Sequence, residues 1–486
     1  MPSLAQLGGQ IGFTQPQSAL RRNIFIPKYY DPAIPERLDA LRADHTFTTL
    51  RDLVDRGEVE LESGDDIGKM TYGGSIPFVR TSDIGDWEIT SLPKQGVETA
   101  TLEAYKERQN VRAGDILLVK DGLYLIGKCA LVSSSDLPML YQSHLLRIRV
   151  TRTSTLSPEL LLLMLSAPVV EIQVRSKQFT AGIIDKIEDR VMELELPIPE
   201  KPRVAARLAS RARVILEQRR ELRELLRQIP MWVQGMINDL ADETWSREQI
   251  AAVHRESSDR LGFVRPFSDV TTGILLAKYY EPGIESVLSQ MRDDFDLVTI
   301  GELVEGGAVT VTTGTEVGKM AYSTGDVPFV RTSDLASWEL NENAKQKVSR
   351  KTYLMNRDAA GIEADDILLV RDGTFLIGTS AIVTSEETEM LFAGGIYNLR
   401  CNSAKLDPYL LLALLNMPIV KRQIRAKQFT RDIIDTLGKR LFELVLPIPR
   451  SAARQKEIAV VTKSAVGKRV ELRQEMQTLI AAFEEG

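Results

Sequence analysis

The chain has 486 residues, 43% of them hydrophobic and 26% charged, ordinary values for a protein that buries real cores, and the length points to two to four domains. Lys and Arg total 61 against 67 Asp and Glu, a formal charge of −6, which excludes coating of nucleic acid through bulk charge but not a local basic groove. Two cysteines and three histidines exclude a disulfide framework and leave little for a metal site.

Residues 1–23 form an N-terminal extension without the basic start and apolar stretch of a signal peptide. The longest apolar runs, 160–165 and 410–415, are closed by Pro168 and Pro418 and fall short of the roughly 20 residues a membrane span needs. A cytoplasmic, reducing location and no membrane partner are expected.

The organising feature is an internal repeat. In chain order, Lys28-Tyr29-Tyr30 recurs as Lys278-Tyr279-Tyr280, and Gly68-Lys69-Met70 as Gly318-Lys319-Met320. Pro77-Phe78-Val79-Arg80-Thr81-Ser82-Asp83 returns as Pro328-Phe329-Val330-Arg331-Thr332-Ser333-Asp334, and Trp87-Glu88 as Trp338-Glu339. Asp115-Ile-Leu-Leu-Val-Lys120-Asp121-Gly122 returns as Asp366-Ile-Leu-Leu-Val-Arg371-Asp372-Gly373. Lys177-Gln178-Phe179-Thr180 matches Lys427-Gln428-Phe429-Thr430, and Leu196-Pro-Ile-Pro199 matches Leu446-Pro-Ile-Pro449. A period this long is not a solenoid repeat; it means two complete domains. A pseudo-twofold pair suits a ligand that is itself nearly twofold, of which duplex DNA is the commonest.

Within each unit, 116–119 and 130–132 read as short buried strands. Asp121-Gly122 and Asp372-Gly373 read as hairpin turns. Segments 158–174 and 408–424 read as apolar helices opened by a proline. The expected class is α+β, a tandem pseudo-twofold duplication of a mixed α/β domain, each copy followed by a long helix. In the first helix Leu208, Ile215, Leu222 and Ile229 recur every seven residues, and in the second Ile458, Ala465, Leu472 and Leu479 do so. Such a seam suits helices packed on each other, although an amphipathic helix lying on its own domain is the alternative. At 1.5 Å per residue roughly 30 residues span about 45 Å, a little over one turn of B-DNA.

The pairing of Phe-Val-Arg-Thr-Ser-Asp with Asp-Ile-Leu-Leu-Val-Lys/Arg-Asp-Gly, the Lys-Gln-Phe-Thr segment and the Leu-Pro-Ile-Pro before a long helix resemble type I restriction–modification specificity subunits from about residue 24 onward. That resemblance implies two target-recognition domains whose helices form an antiparallel coiled coil. Each domain would read one half of a bipartite DNA site. The partners it implies are double-stranded DNA, two adenine-specific methyltransferase subunits and, where the complex also cuts, a restriction/translocase subunit. The chain itself would hold no cofactor; S-adenosylmethionine, and any ATP, would belong to partner subunits. The expected domains are 24–199 and 266–449 for recognition, 200–265 as helical spacer and linker, and 450–486 as the second spacer helix. Segment 24–66 and the linker 232–272 are longer than the family's usual pattern, which leaves the kind of methylation-based defence complex open.

No residue pattern supports catalysis. An adenine methyltransferase of the resembling kind needs an Asn/Asp-Pro-Pro-Tyr/Phe loop, which the sequence lacks. Segment 64–69 has three residues between its glycines and methionine after the lysine, which is not a phosphate loop. Asp115 and Asp121 could be taken for nuclease carboxylates, but the second copy replaces Lys120 by Arg371, a change a catalytic lysine would not tolerate easily. His45, His144 and His254 have no histidine at the matching positions.

The candidate DNA contacts are polar loop residues present in both copies. Arg80, Thr81, Ser82 and Arg331, Thr332, Ser333 offer a guanidinium and two hydroxyls for phosphates or a guanine edge; the alternative is an Arg–Asp pairing inside the turn. Lys177, Gln178 and Thr180, with Lys427, Gln428, Thr430 and Arg431, combine phosphate-binding charge with an amide able to read adenine; the alternative is a solvated helix end. Lys120, Tyr124, Arg371 and Phe375 flank the turn. Residues 419–440 carry seven Lys/Arg against two Asp, whereas 169–190 carry four of each sign, so the copies are expected to read unlike half-sites. The basic stretch 201–227 is either DNA-facing or a solvated helix face. The expected function is a non-catalytic DNA-recognition subunit. Its rivals are a nuclease or modification enzyme with an unrecognised site, and a protein-interaction scaffold.

Overall fold

Four consecutive apolar residues need cover on both faces, so Ile-Leu-Leu-Val forms an inner strand both times it occurs. In the computed structural model, which describes residues 18, 20, 24–68, 72–90, 95–122, 125–153, 156–181, 184–241, 245–246, 249–250, 253, 262–270, 274–340, 344, 346–373, 376–431 and 434–485, Ile116–Val119 and Ile367–Val370 are buried throughout. Each lies inside a four-stranded antiparallel sheet. The strand order is Val59–Ser63, Leu145–Val150, Ile116–Val119, Cys129–Leu131 in the first copy, and Val309–Thr313, Ile396–Cys401, Ile367–Val370, Ser380–Ile382 in the second. A three-stranded sheet also recurs, with Tyr72–Val79 or Val327–Val330 in the middle, antiparallel to one neighbour and parallel to the other. The two Leu-Pro-Ile-Pro segments pair antiparallel with His45–Thr49 and Phe295–Thr299. The repeat is thus a duplicated mixed α+β fold.

The chain divides into two compact units, Met1–Glu224 with Glu471–Gly486, and Leu225–Val470. Local chemistry sets their helices. Thr49 with Asp52, and Thr299 with Glu302, close reciprocal caps at Leu50–Asp55 and Ile300–Glu305. Ser157 and Asp407 cap Pro158–Leu165 and Pro408–Leu415.

One expectation changes. Segments 158–174 and 408–424 are not single helices: each breaks before its second proline, giving Pro158–Leu165 then Pro168–Lys177, and Pro408–Leu415 then Pro418–Lys427. Proline lacks the N–H for the helical ladder and pushes the residue before it into extended backbone; Ala167 and Met417 have ψ of 136° and 141°. Asp121-Gly122 and Asp372-Gly373 lie in the loops that join antiparallel strands, Ile116–Val119 to Cys129–Leu131 and Ile367–Val370 to Ser380–Ile382. Gly122 and Gly373 do take positive φ, 140° and 143°.

The long helices are Pro202–Val233 and Ala452–Glu485. All eight seam residues, Leu208, Ile215, Leu222, Ile229, Ile458, Ala465, Leu472 and Leu479, are buried. In the first unit Leu208 and Ile215 share one core cluster with Met476, Leu479 and Phe483. Among the described residues, no helix is long and apolar enough to cross a membrane.

Candidate nucleic-acid interface

The turn after the middle strand is sealed by its own aspartate. The buried Asp83 carboxylate accepts the Arg80 N–H at 2.9 Å, and Asp334 accepts the Arg331 N–H at the same distance. This leaves the arginine side chains to act elsewhere. Arg80 Nε donates to Gln142 Oε1 at 3.3 Å, while the Arg331 guanidinium lies 5.8 Å over the Tyr322 ring. Ser82 is exposed, and Thr81, Thr332 and Ser333 are half-buried.

The second segment is the loop after the inner strand. Lys120 Nζ donates to Ser63 Oγ at 2.9 Å, and its N–H reaches the His144 carbonyl. His144 Nδ1 lies 3.0 Å from the Asp121 carboxylate. In the second copy Arg371 donates through Nε and Nη2 to Asp372 Oδ2 at 2.9 and 2.7 Å, which holds its guanidinium above the ordinary arginine range. A side chain at Gly395 would meet Thr332 Cγ2 at 3.3 Å and Asp372 Cβ at 3.6 Å, so the turn and the loop are neighbours there. Tyr124 and Phe375 lie outside the described residues.

The third segment is a two-stranded hairpin, Phe179–Ala181 with Ile184–Lys186, and Phe429–Arg431 with Ile434–Thr436. Backbone bridges from Asp121 to Lys186 and from Asp372 to Thr436 hold the loop against it, and Thr436 Oγ1 donates to Asp372 Oδ1 at 2.5 Å. Turn, loop and hairpin therefore meet on one side of each unit. Gln428 Nε2 and Thr430 Oγ1 both donate to Asp435, at 3.4 and 2.6 Å; Gln178 is half-buried. Thr180 and Arg431 stand in the hairpin strands, with side chains outside the described set.

Lys177 and Lys427 sit at the hairpin base rather than on a solvated helix end. Lys177 Nζ is 3.5 Å from Glu193 and 4.9 Å over Tyr29; Lys427 Nζ is 2.9 Å from Glu443 and 4.1 Å over Tyr279. The tyrosine hydroxyls donate to the same glutamates. The hairpin is braced further by residues that motif reading did not single out. Arg190 Nε and Nη2 donate to the Lys177 and Lys186 carbonyls at 2.8 and 3.0 Å, with the guanidinium 4.3 Å over Phe179. Arg440 repeats this on Lys427, Thr436 and Phe429 at 2.6, 2.8 and 4.1 Å. The signal available was arginine at the matching position of both repeats.

The basic excess of 419–440 is partly spent inside its unit. Lys421 Nζ donates to the Gly378 carbonyl at 2.5 Å, and buried Arg422 pairs with Glu281. One difference at the surface is Lys439, exposed where the first copy has exposed Asp189. Lys439 lines an open groove with Arg371, Tyr397, Thr313 and Gly438. The stretch 201–227 is likewise not a uniformly solvated face, since Arg219, Arg223 and Arg227 are buried. Among the described residues no group of three His, Cys, Asp or Glu could hold a metal ion.

No protein-family model matches the chain, and no curated protein matches it significantly. Among solved structures it is similar to the S subunit of a type I restriction–modification system from M. genitalium, at 13% identity over 91% of this chain and 94% of that one, with a TM-score of 0.33. It is similar to the HsdS subunit from Thermoanaerobacter tengcongensis, at 15% identity over 91% and 95%, with a TM-score of 0.26. A structure concerning assembly and conformational transition of the type I R-M system matches at 15% identity over 91% and 97%, TM-score 0.26.

Proposed function

We propose that the chain is the non-catalytic DNA-recognition subunit of a type I-like adenine methylation or restriction complex. Each unit reads one half of a split, asymmetric site. The long helices, as an antiparallel coiled coil, set the spacer and carry the docking surface for two methyltransferase subunits. S-adenosylmethionine, and ATP where the complex also cuts, are held by those partners. The observation that supports this best is the joining of turn, loop and hairpin in both units, with shared residues bracing the scaffold and differing ones at the surface. Matching scaffolds that present unlike surfaces are what an asymmetric bipartite site requires.

The test is single-molecule methylation sequencing of the host genome with and without the gene. Loss of adenine methylation at one split motif on deletion is the expected result, and an unchanged methylome overturns the reading. Binding of the purified chain to duplex DNA should also fall steeply with salt; a flat dependence points to a scaffold instead.

A further inference from the structure

The Trp-Glu motif, repeated in both units, has no part in the reading surface. Glu88 and Glu339 point at the long helices. In the first unit Arg219, 4% exposed, donates through Nη2 to Glu88 Oε1 at 3.0 Å. One helical turn on, Arg223, 2% exposed, donates to the Ile89 carbonyl at 2.6 Å and the Ser133 hydroxyl at 3.0 Å, and lies 3.0 Å from Asp136 Oδ1. In the second unit Arg469 Nε is 2.5 Å from Glu339 Oε1, both nearly buried.

The turn presenting each glutamate is held in a costly conformation. Trp87 and Trp338 have φ of 67° and 80°, a left-handed backbone that bulky residues rarely adopt and that persists only where surroundings enforce it. The Trp87 N–H bonds the Cys129 carbonyl and the Trp338 N–H that of Ser380, while Trp87 Nε1 donates to Ser166 Oγ at 2.8 Å. The flanks have diverged, Gly85-Asp86 against Ala336-Ser337, yet Trp-Glu and both arginine positions persist, as Arg219 and Arg223 against Arg469 and Arg473.

A buried ion pair adds little net stability over an apolar pair of equal volume, because desolvation offsets the attraction; its best-attested effect is to specify register. Apolar ridges can slide past one another. Guanidinium bonds of fixed length to a carboxylate and a backbone carbonyl are made at one rotation and one height of the helix only. We propose that these arginine–glutamate clips are positioning residues that fix how each recognition domain is seated on its long helix, and thereby which spacer between half-sites the protein accepts. This rests on the bipartite reading proposed above.

The experiment uses the full chain and duplexes carrying the two half-sites found by methylome sequencing, separated by the native spacer or by one base pair more or fewer. The variants are Arg219→Met with Glu88→Leu, and the charge swap Arg219→Glu with Glu88→Arg. The apolar pair is expected to keep its Tm and the base preference within each half-site, while preference for the native spacer falls by about tenfold, comparable to one mismatched base pair. An apolar variant that folds and discriminates spacers as the unsubstituted chain does overturns the proposal. Should the apolar variant not fold, the swap decides: a shifted spacer preference supports positioning, and an unchanged one overturns it. Failure of the unsubstituted chain to prefer any split site overturns the bipartite reading, and this inference with it, before any substitution is made.

Discussion

Gln234 and Glu484 occupy corresponding positions of the two repeats and cap corresponding helices. Gln234 Oε1 accepts the Ile419 N–H at 3.0 Å, and Glu484 Oε1 accepts the Val169 N–H at 2.6 Å. Both donors lie in the first turn of a helix opened by proline, where N–H groups have no partner within the helix. In the first unit the cap arrives from a segment far away in sequence, and the same segment brings Met476, Leu479 and Phe483 into that unit's core. His45 Nε2 meets the Phe483 carbonyl at 2.9 Å.

The first unit should therefore depend on the end of the last helix. Glu484→Ala is expected to cost about 1 kcal/mol, the usual worth of a helix cap. Phe483→Ala should cost about 3–5 kcal/mol, since Phe483 is fully buried. Urea denaturation followed by hydrogen exchange in strands Ile116–Val119 and Leu145–Val150 reads the effect. Unchanged protection in the Phe483→Ala variant would contradict this account.

Asp115 and Asp366, the residues a nuclease reading would choose, act as structural acceptors. Asp115 accepts Arg149 Nε and Nη2 at 2.7 and 2.8 Å and the Arg112 N–H at 2.8 Å. Asp366 accepts Arg400 at 2.7 Å twice, the Glu363 N–H at 2.9 Å and Asn398 Nδ2 at 2.9 Å. Asp115→Ala should destabilise its unit by about 3–5 kcal/mol, the cost of stranding one partner of a buried pair, and Asp366→Ala should cost less, because its partner Arg400 is 36% exposed. Magnesium or manganese should leave the Tm unchanged. A metal-induced rise in Tm that Asp115→Ala abolishes would restore the nuclease reading.

The duplication, the mixed fold class and the buried seam are legible because each rests on recurring motifs or on a short period. The roles of individual charges are not, because their partners are distant in sequence. Lys177 reads as a phosphate contact until Glu193 and Tyr29, 164 residues apart, are seen to share a hydrogen bond beside it. Arg219 reads as a solvated helix charge because Glu88 is 131 residues away. The double helices at 158–177 and 408–427 are a milder miss, since Pro168 and Pro418 announce the break and the apolar runs already end at Leu165 and Leu415.

Lys421 predicts a pH dependence. Burial, then the nearby Arg425, pushes its ammonium down to about 7 from the ordinary 10.5. The folded pKa lies below the unfolded one, so between these values the unfolded chain holds a proton the folded chain has shed, and stability from this group rises with pH. Below about 7 both states carry the charge and its burial penalty is present in full. Lys421→Met should therefore be more stable than the unsubstituted protein at pH 6, with the difference shrinking steadily up to pH 9. Urea midpoints at three pH values measure it; a difference independent of pH contradicts it.

The exposed pair of differing charges, Asp189 and Lys439, offers the most direct test of the proposed reading surface. Lys439 shares its groove with Arg371, and a solvent-exposed lysine there has the reach for a phosphate without cost to the fold. Each phosphate contact releases counterions, so losing one weakens binding alike on all sequences and lowers the salt slope by about one. Lys439→Ala is expected to do both while leaving the methylated motif unchanged. Asp189→Lys should do the reverse, raising affinity and steepening the slope by about one. Titrations of the purified variants on one duplex at several salt concentrations give both quantities. Equal slopes in all three proteins would remove this groove from the DNA-facing surface, while a changed motif would make Lys439 a base-reading residue instead.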